Sequence, residues 1–259
     1  MLQTRVIPVL LLDTDGLVKT VKFKSPKYVG DALNTVKIFN EKEVDEIIIL
    51  DINVSKQGSE PNYALIEDFA SECFMPVCYG GGITTIEQMR KIFALGIEKV
   101  SLNTTVLNDF DLIKEACSLF GSQSIVVSID VKKDLMGRYK VFNHIKKKIE
   151  KVDFISYLEE LEALSMGEIL INNVDLDGTQ KGYDIELMKI VTAKVNVPVI
   201  ACGGAGDLKD FKQVQEEANV SAVAAGSFFV FHGKHKAVLI TYPKYAELKK
   251  LFQGDANEG

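Results

Sequence analysis

Asp130 lies near the end of Ile125-Val126-Val127-Ser128-Ile129-Asp130-Val131-Lys132-Lys133. The run is apolar, rich in β-branched residues and too short for a helix, so it reads as a strand covered on both faces. An acid at the carboxyl end of such a strand stands where α/β folds keep their chemistry. It could move a proton, or it could be a solvated acid at a strand–loop junction. Two glycine motifs repeat at half the chain length. Pro76-Val77-Cys78-Tyr79-Gly80-Gly81-Gly82 recurs 122 residues later as Pro198-Val199-Ile200-Ala201-Cys202-Gly203-Gly204. Val100 to Thr104 recurs 123 residues later as Val223 to Ser227. Glycine lets a backbone approach an anion closely, and a hydroxyl adds a donor. Gly81, Gly82, Asn103 and Thr104 in one half, and Gly203, Gly204, Gly226 and Ser227 in the other, are therefore candidate phosphate cradles. Tight turns after strands are the plainer use of the same glycines. Two cradles on one mouth would suit a small molecule with a phosphate at each end. Asp177-Gly178-Thr179 could hold sugar or glycerol hydroxyls, and it is also ordinary turn chemistry.

The elements that must position these residues are eight short apolar runs, near 5–12, 47–52, 76–79, 98–103, 124–130, 168–173, 197–202 and 221–226. Segments of helical period lie between them, joined by connections of a few residues. Thr84-Thr85-Ile86-Glu87 reads as a capping box that opens one helix, with Gly96 closing it. Asn108, Asp184 and Asp207 are expected to start three more, the first stopping at Gly121, and Tyr245 to Phe252 forms the last. Eight alternations of strand and helix predict a parallel (β/α)8 TIM barrel. No linker divides the chain, so residues 1–259 form one domain, with half-barrels near 1–122 and 123–253. The polar tail 254–259 is expected to fray.

The 259 residues carry a net charge of -6 and are 47% hydrophobic, enough for one large core and poorly suited to a nucleic-acid surface. Cys73, Cys78, Cys117 and Cys202 have no CxxC spacing and read as reduced core residues. The run Val6 to Leu12 is too short to span a membrane and is no signal peptide. A cytoplasmic protein is expected, with no cofactor and no metal. His232 and His235 lack accompanying ligands. His144 falls in a lysine-rich stretch with Lys146, Lys147 and Lys148 that reads as a solvated loop.

The chain resembles the HisF family, the cyclase subunit of imidazole glycerol phosphate synthase, over nearly its whole length. The likeness is carried by Arg5-Val6-Ile7-Pro8, Leu50-Asp51-Ile52, Tyr79-Gly80-Gly81-Gly82-Ile83, Lys99 to Thr104 and Phe120-Gly121-Ser122-Gln123. Asp130, Asp177-Gly178-Thr179 with Gly182-Tyr183-Asp184, and Gly203-Gly204-Ala205-Gly206 complete it. The resemblance implies two phosphate sites and a partner glutaminase of the HisH type, docked as a heterodimer on the bottom of the barrel. It also implies an ammonia entrance there, guarded by Arg5, Glu46, Lys99 and Glu168.

One departure is large. The family's cyclisation uses an aspartate ending strand one and another ending strand five. Asp130 matches the second, but Leu11 or Leu12 falls at the first, depending on where the one-residue-longer stretch Val9 to Gly16 is aligned. Asp13 is the nearest replacement acid, about 6.6 Å further along a strand. Leu176 stands between two acids where the family has a charged residue. The pattern resembles the HisF-like paralogues of surface-polysaccharide gene clusters, which pair with a glutaminase and a nucleotide-sugar amidotransferase. The leading expectation is an ammonia-conducting subunit in sugar amidation. Two alternatives are a histidine-biosynthetic cyclase (a lyase) and a non-catalytic activator of the glutaminase.

Overall fold

The computed structural model describes residues 4–14, 16–233 and 235–253; the tail expected to fray lies outside them. Eight parallel strands form the barrel: β1 (Arg5–Asp13), β2 (Ile47–Asp51), β3 (Val77–Gly80), β4 (Lys99–Leu102), β5 (Ile125–Lys133), β6 (Glu168–Asn173), β7 (Val199–Cys202) and β8 (Ala222–Ala225). Neighbours pair in chain order, and β8 pairs back onto β1 with Arg5 opposite Ala222 and Pro8 opposite Ala225. The sheet thus closes with no free edge, as the eight apolar runs predict.

Alternation along each strand separates two cores. Ile7, Val9, Ile48, Cys78, Val126, Leu170, Ile200, Cys202, Ala222 and Ala224 point into the lumen and pack on one another. Residues of opposite parity, such as Leu10, Leu12, Ile47, Ile49, Val127 and Ile171, face the surrounding helices in one large outer core. The lumen residues are smallest on β8, at Ala222 and Ala224.

The helices start and stop on identifiable side chains. Asp31, Asn62, Asp153, Asp184 and Asp207 each accept a backbone N–H of the first turn. The expected capping box is present one residue later, with Thr85 and Gln88 in place of Thr84 and Glu87. Gln88 wins because its amide oxygen also accepts from Thr84 N at 2.7 Å. The helix expected from Asn108 starts at Asp111, Asn108 being spent on the Thr104 carbonyl, and it ends before Gly121 as expected.

Two connections are much longer than a few residues. After β1, an antiparallel hairpin (Gly16–Val21 and Lys24–Asp31) extends the strand and folds over the mouth. After β5, Tyr139–Asn143 pairs back on Val131–Lys133, so the strand runs three residues past Asp130. Of the cysteines, Cys78 and Cys202 are core residues; Cys73, just past the helix Tyr63–Glu72, and Cys117, in the helix Asp111–Phe120, are only half-buried. No described helix is long and apolar enough to cross a membrane.

Candidate functional site

The top of the barrel opens into a cleft of about 720 Å³. It is lined by Leu11 and Asp13 of β1, by Gly81, Gly82, Asn103 and Thr104 of one half, and by Asp177, Gly178, Gly203, Gly204, Gly226 and Ser227 of the other. Thr179 is held just outside it, its hydroxyl donating to Leu176 O at 2.7 Å within the turn.

The glycine repeat has a structural cause at each end. Gly81 has φ +129, and a Cβ there would overlap the Asp51 carbonyl at the end of β2. Gly203 has φ +89, and a Cβ there would press on Asn173 O at 2.7 Å, at the end of β6. Asp51 and Asn173 are themselves 122 residues apart. The two halves therefore make the same close approach, and only glycine permits it.

Asp130 is buried, 5% exposed, and is held from three sides. Asn103 Nδ2 donates to its Oδ2 at 3.0 Å and Asn172 Nδ2 to its Oδ1 at 3.3 Å. His144 Nδ1 lies 3.1 Å from the same Oδ2. His144 is thus no member of a solvated loop: the hairpin after β5 returns it to the mouth. Its lysine-rich surroundings hid it, since an antiparallel excursion leaves no mark in the period of the barrel.

Strand register decides the alignment of β1. Leu11 pairs with Leu50, and Asp130 pairs with Asn172. Leu11 faces the lumen and the mouth, whereas Leu12 is buried among the outer helices. The position equivalent to the strand-one acid is Leu11. Asp13 lies at the rim, bound by the Asn53 side-chain amide and close to Asp51, on the β1–β2 side.

Lys19, from the first hairpin, was not expected. It is 5% exposed and donates to the Val9 carbonyl beside Gly226. Burial pushes its pKa down to about 8, against the pull of Asp177. Burial likewise pushes Asp177 up to about 6, although Lys19 and the Thr20 hydroxyl favour its charge. Nothing in the alternating run Gly16 to Val21 marks Lys19 as more than a surface lysine. Lys22, Lys24, Lys56, Lys132 and Lys147 also line the cleft, so its rim is cationic on a chain of negative net charge.

At the opposite end, four charges close a ring across the lumen. Arg5 Nη1 is 2.5 Å from Glu46 Oε2 and Arg5 Nη2 is 2.6 Å from Glu168 Oε1. Lys99 Nζ is 2.8 Å from Glu46 Oε2 and 3.2 Å from Glu168 Oε2. Burial works against the Arg5 charge, but Glu168 and Glu46 outweigh it and raise its pKa. Among the described residues no three His, Cys, Asp or Glu side chains are grouped to hold a metal ion.

Comparison with known proteins gives one answer. The family model described as "Histidine biosynthesis protein" matches residues 5–236. A Pseudomonas aeruginosa protein provisionally named subunit hisF2 of imidazole glycerol phosphate synthase is 55% identical over 248 residues, covering 96% of this chain and 99% of its own length. One from Vibrio vulnificus, provisionally named hisF3 of the same enzyme, is 50% identical over 254 residues, with 98% of each chain covered. A Leptospira borgpetersenii protein, provisionally named HisF, is 46% identical over 253 residues, 97% of this chain and 100% of its own length. With its closed (β/α)8 barrel and its paired half-barrel glycine turns, the chain belongs to the histidine biosynthesis protein family, as a HisF-type member.

Proposed function

We propose that this chain is the barrel subunit of a glutamine amidotransferase, in which ammonia from a HisH-type glutaminase enters past Arg5, Glu46, Lys99 and Glu168 and travels up the lumen. The observation that carries the reading is the closed ring of alternating charges beneath an apolar lumen of Ile7, Ile48, Cys78, Val126, Ile200 and Ala222. Neutral ammonia crosses such a lumen at low cost, and ammonium does not. Charged residues reappear at the mouth, among them Lys19, Asp130 and Asp177.

The mouth is read as two phosphate subsites, Gly81, Gly82, Asn103 and Thr104 facing Gly203, Gly204, Gly226 and Ser227. Thr104 Oγ1 is buried with no hydrogen-bond partner among the described residues, so its hydroxyl is available to donate to an anion. Leucine at position 11 leaves the β1 counterpart of Asp130 without an acid, and general acid–base catalysis contributes about 10²–10⁴-fold. That loss favours passing ammonia onward, to a nucleotide-sugar amidotransferase of surface-polysaccharide synthesis, over cyclisation in place. The second reading is a histidine-biosynthetic cyclase, favoured by the names of the relatives and by the retained Asp130. A non-catalytic activator would keep the ring and leave the mouth idle.

The test is ammonia-dependent turnover of the aminoimidazole-carboxamide ribonucleotide substrate by the wild type, Asp130→Asn and Leu11→Asp. No wild-type turnover, with some gained by Leu11→Asp, is the expected result. Wild-type turnover that Asp130→Asn abolishes would establish the cyclase instead.

A further inference from the structure

His144 is mounted with care for a residue on a hairpin. The preceding Asn143 is 1% exposed, and its Oδ1 accepts from Ile145 N at 3.1 Å and Lys146 N at 2.9 Å. Asn143 Nδ2 donates to Glu150 Oε1 at 2.9 Å, which locks the turn. The His144 side chain is 24% exposed and lines the mouth, with Nδ1 on Asp130. Asn103 and Asn172 also present N–H groups to that carboxylate, so it serves as an acceptor throughout. An acceptor opposite Nδ1 places the imidazole hydrogen there and leaves the lone pair on Nε2. No hydrogen-bond partner for Nε2 occurs among the described residues.

We propose that His144 is the proton-transferring residue of the mouth and that Asp130 is its positioning residue. The inference rests on the ammonia reading for its nitrogen nucleophile, and it takes the branch in which ammonia reacts at this mouth instead of passing onward. The acceptor class is a phosphorylated carbonyl compound. The ammonia lone pair forms the N–C bond while the C=O π pair moves to oxygen. The nitrogen, now positive, gives one proton to His144 Nε2, and the imidazolium stands against the Asp130 carboxylate. The same proton then passes to the oxygen, giving the amino alcohol with the ring restored. Nothing is oxidised or reduced. With Leu11 at the place facing Asp130 from the other half, the imidazole lets one side of the mouth both take and return the proton.

The test uses the full-length chain alone. In ¹⁵N-histidine spectra taken in alkaline buffer, with His144→Gln providing the assignment, His144 is expected as the Nδ1–H tautomer. In Asp130→Ala it is expected to change to Nε2–H. Diethyl pyrocarbonate reports the same lone pair: acylation is expected at Nε2 in the wild type and at Nδ1 in Asp130→Ala, read from the ¹⁵N spectrum of the product. Unchanged circular dichroism shows that the variant is folded. Asp130→Asn serves as a second variant if the alanine form fails to fold. A wild-type Nε2–H tautomer, or a tautomer and acylation site indifferent to Asp130, overturns the proposal. Neither readout needs a glutaminase or an acceptor, so failure of the ammonia reading and failure of the dyad are separately visible.

Discussion

Leu11 and Asp130 occupy equivalent places in the two halves of the barrel. Leu11 stands opposite Leu50 in the β1–β2 ladder, and Asp130 stands opposite Asn172 in the β5–β6 ladder. Leu50 and Asn172 are 122 residues apart, the interval of the glycine repeat. The barrel therefore keeps its polar pair, Asp130 and Asn172, on one side of the mouth and an apolar pair on the other.

That asymmetry predicts the behaviour of Leu11→Asp. Leu11 is only partly buried and lines an open cleft, so a carboxylate there remains hydrated. The variant is expected to fold, at a cost of about 1–2 kcal/mol from lost apolar contact. Urea denaturation measures it; a cost near 5 kcal/mol would mean that the position is sealed from water.

The charged ring predicts a second result. Lys99→Ala leaves Glu46, whose side chain is 3% exposed, with Arg5 as its one remaining partner. Removing one partner of a buried ion pair is expected to cost about 3 kcal/mol. Replacing Glu46 and Lys99 together by methionine is expected to cost less than Lys99→Ala alone, because no buried charge is stranded. Equal or additive losses in the double variant would refute this account.

The depressed Lys19 predicts pH dependence of two kinds. An anion at Gly226 and Ser227 stabilises the Lys19 ammonium, so inorganic phosphate binding is expected to take up protons near pH 8 and to weaken above it. Calorimetry in two buffers of different ionisation enthalpy measures the uptake, which Lys19→Met removes. For stability, the folded pKa of about 8 lies below the ordinary 10.5. The folded chain thus holds fewer protons between those values, and this group's contribution rises with pH there. Asp177 acts oppositely: raised from 3.8 to about 6, it makes stability fall as pH rises through that window.

Glycine substitutions should separate the cradle from ordinary turns. Gly204 has φ +116, and a Cβ there would run into the Gly182 carbonyl. Gly137, at the hairpin tip, has φ +79 and nothing within 4 Å. Gly137→Ala is expected to cost about 1–2 kcal/mol, the left-handed penalty alone. Gly204→Ala adds a backbone collision and is expected to cost clearly more and to abolish phosphate binding. Equal melting temperatures for the two variants would contradict the close approach.

The sequence by itself determined the barrel. Eight buried strands announce themselves as apolar runs because parallel strands are covered on both faces, and six of the described helices carry their caps in the side chain before the first turn. The glycine repeat was equally legible, since positive φ and close approach restrict the residue type. Only tertiary structure decided which leucine, Leu11 or Leu12, faces the mouth, because a one-residue slip exchanges the two faces of a strand. Only tertiary structure brought Lys19 and His144 to the site. Both ride on antiparallel hairpins inserted after β1 and β5, and such hairpins fold back by long-range pairing that local period and composition do not encode.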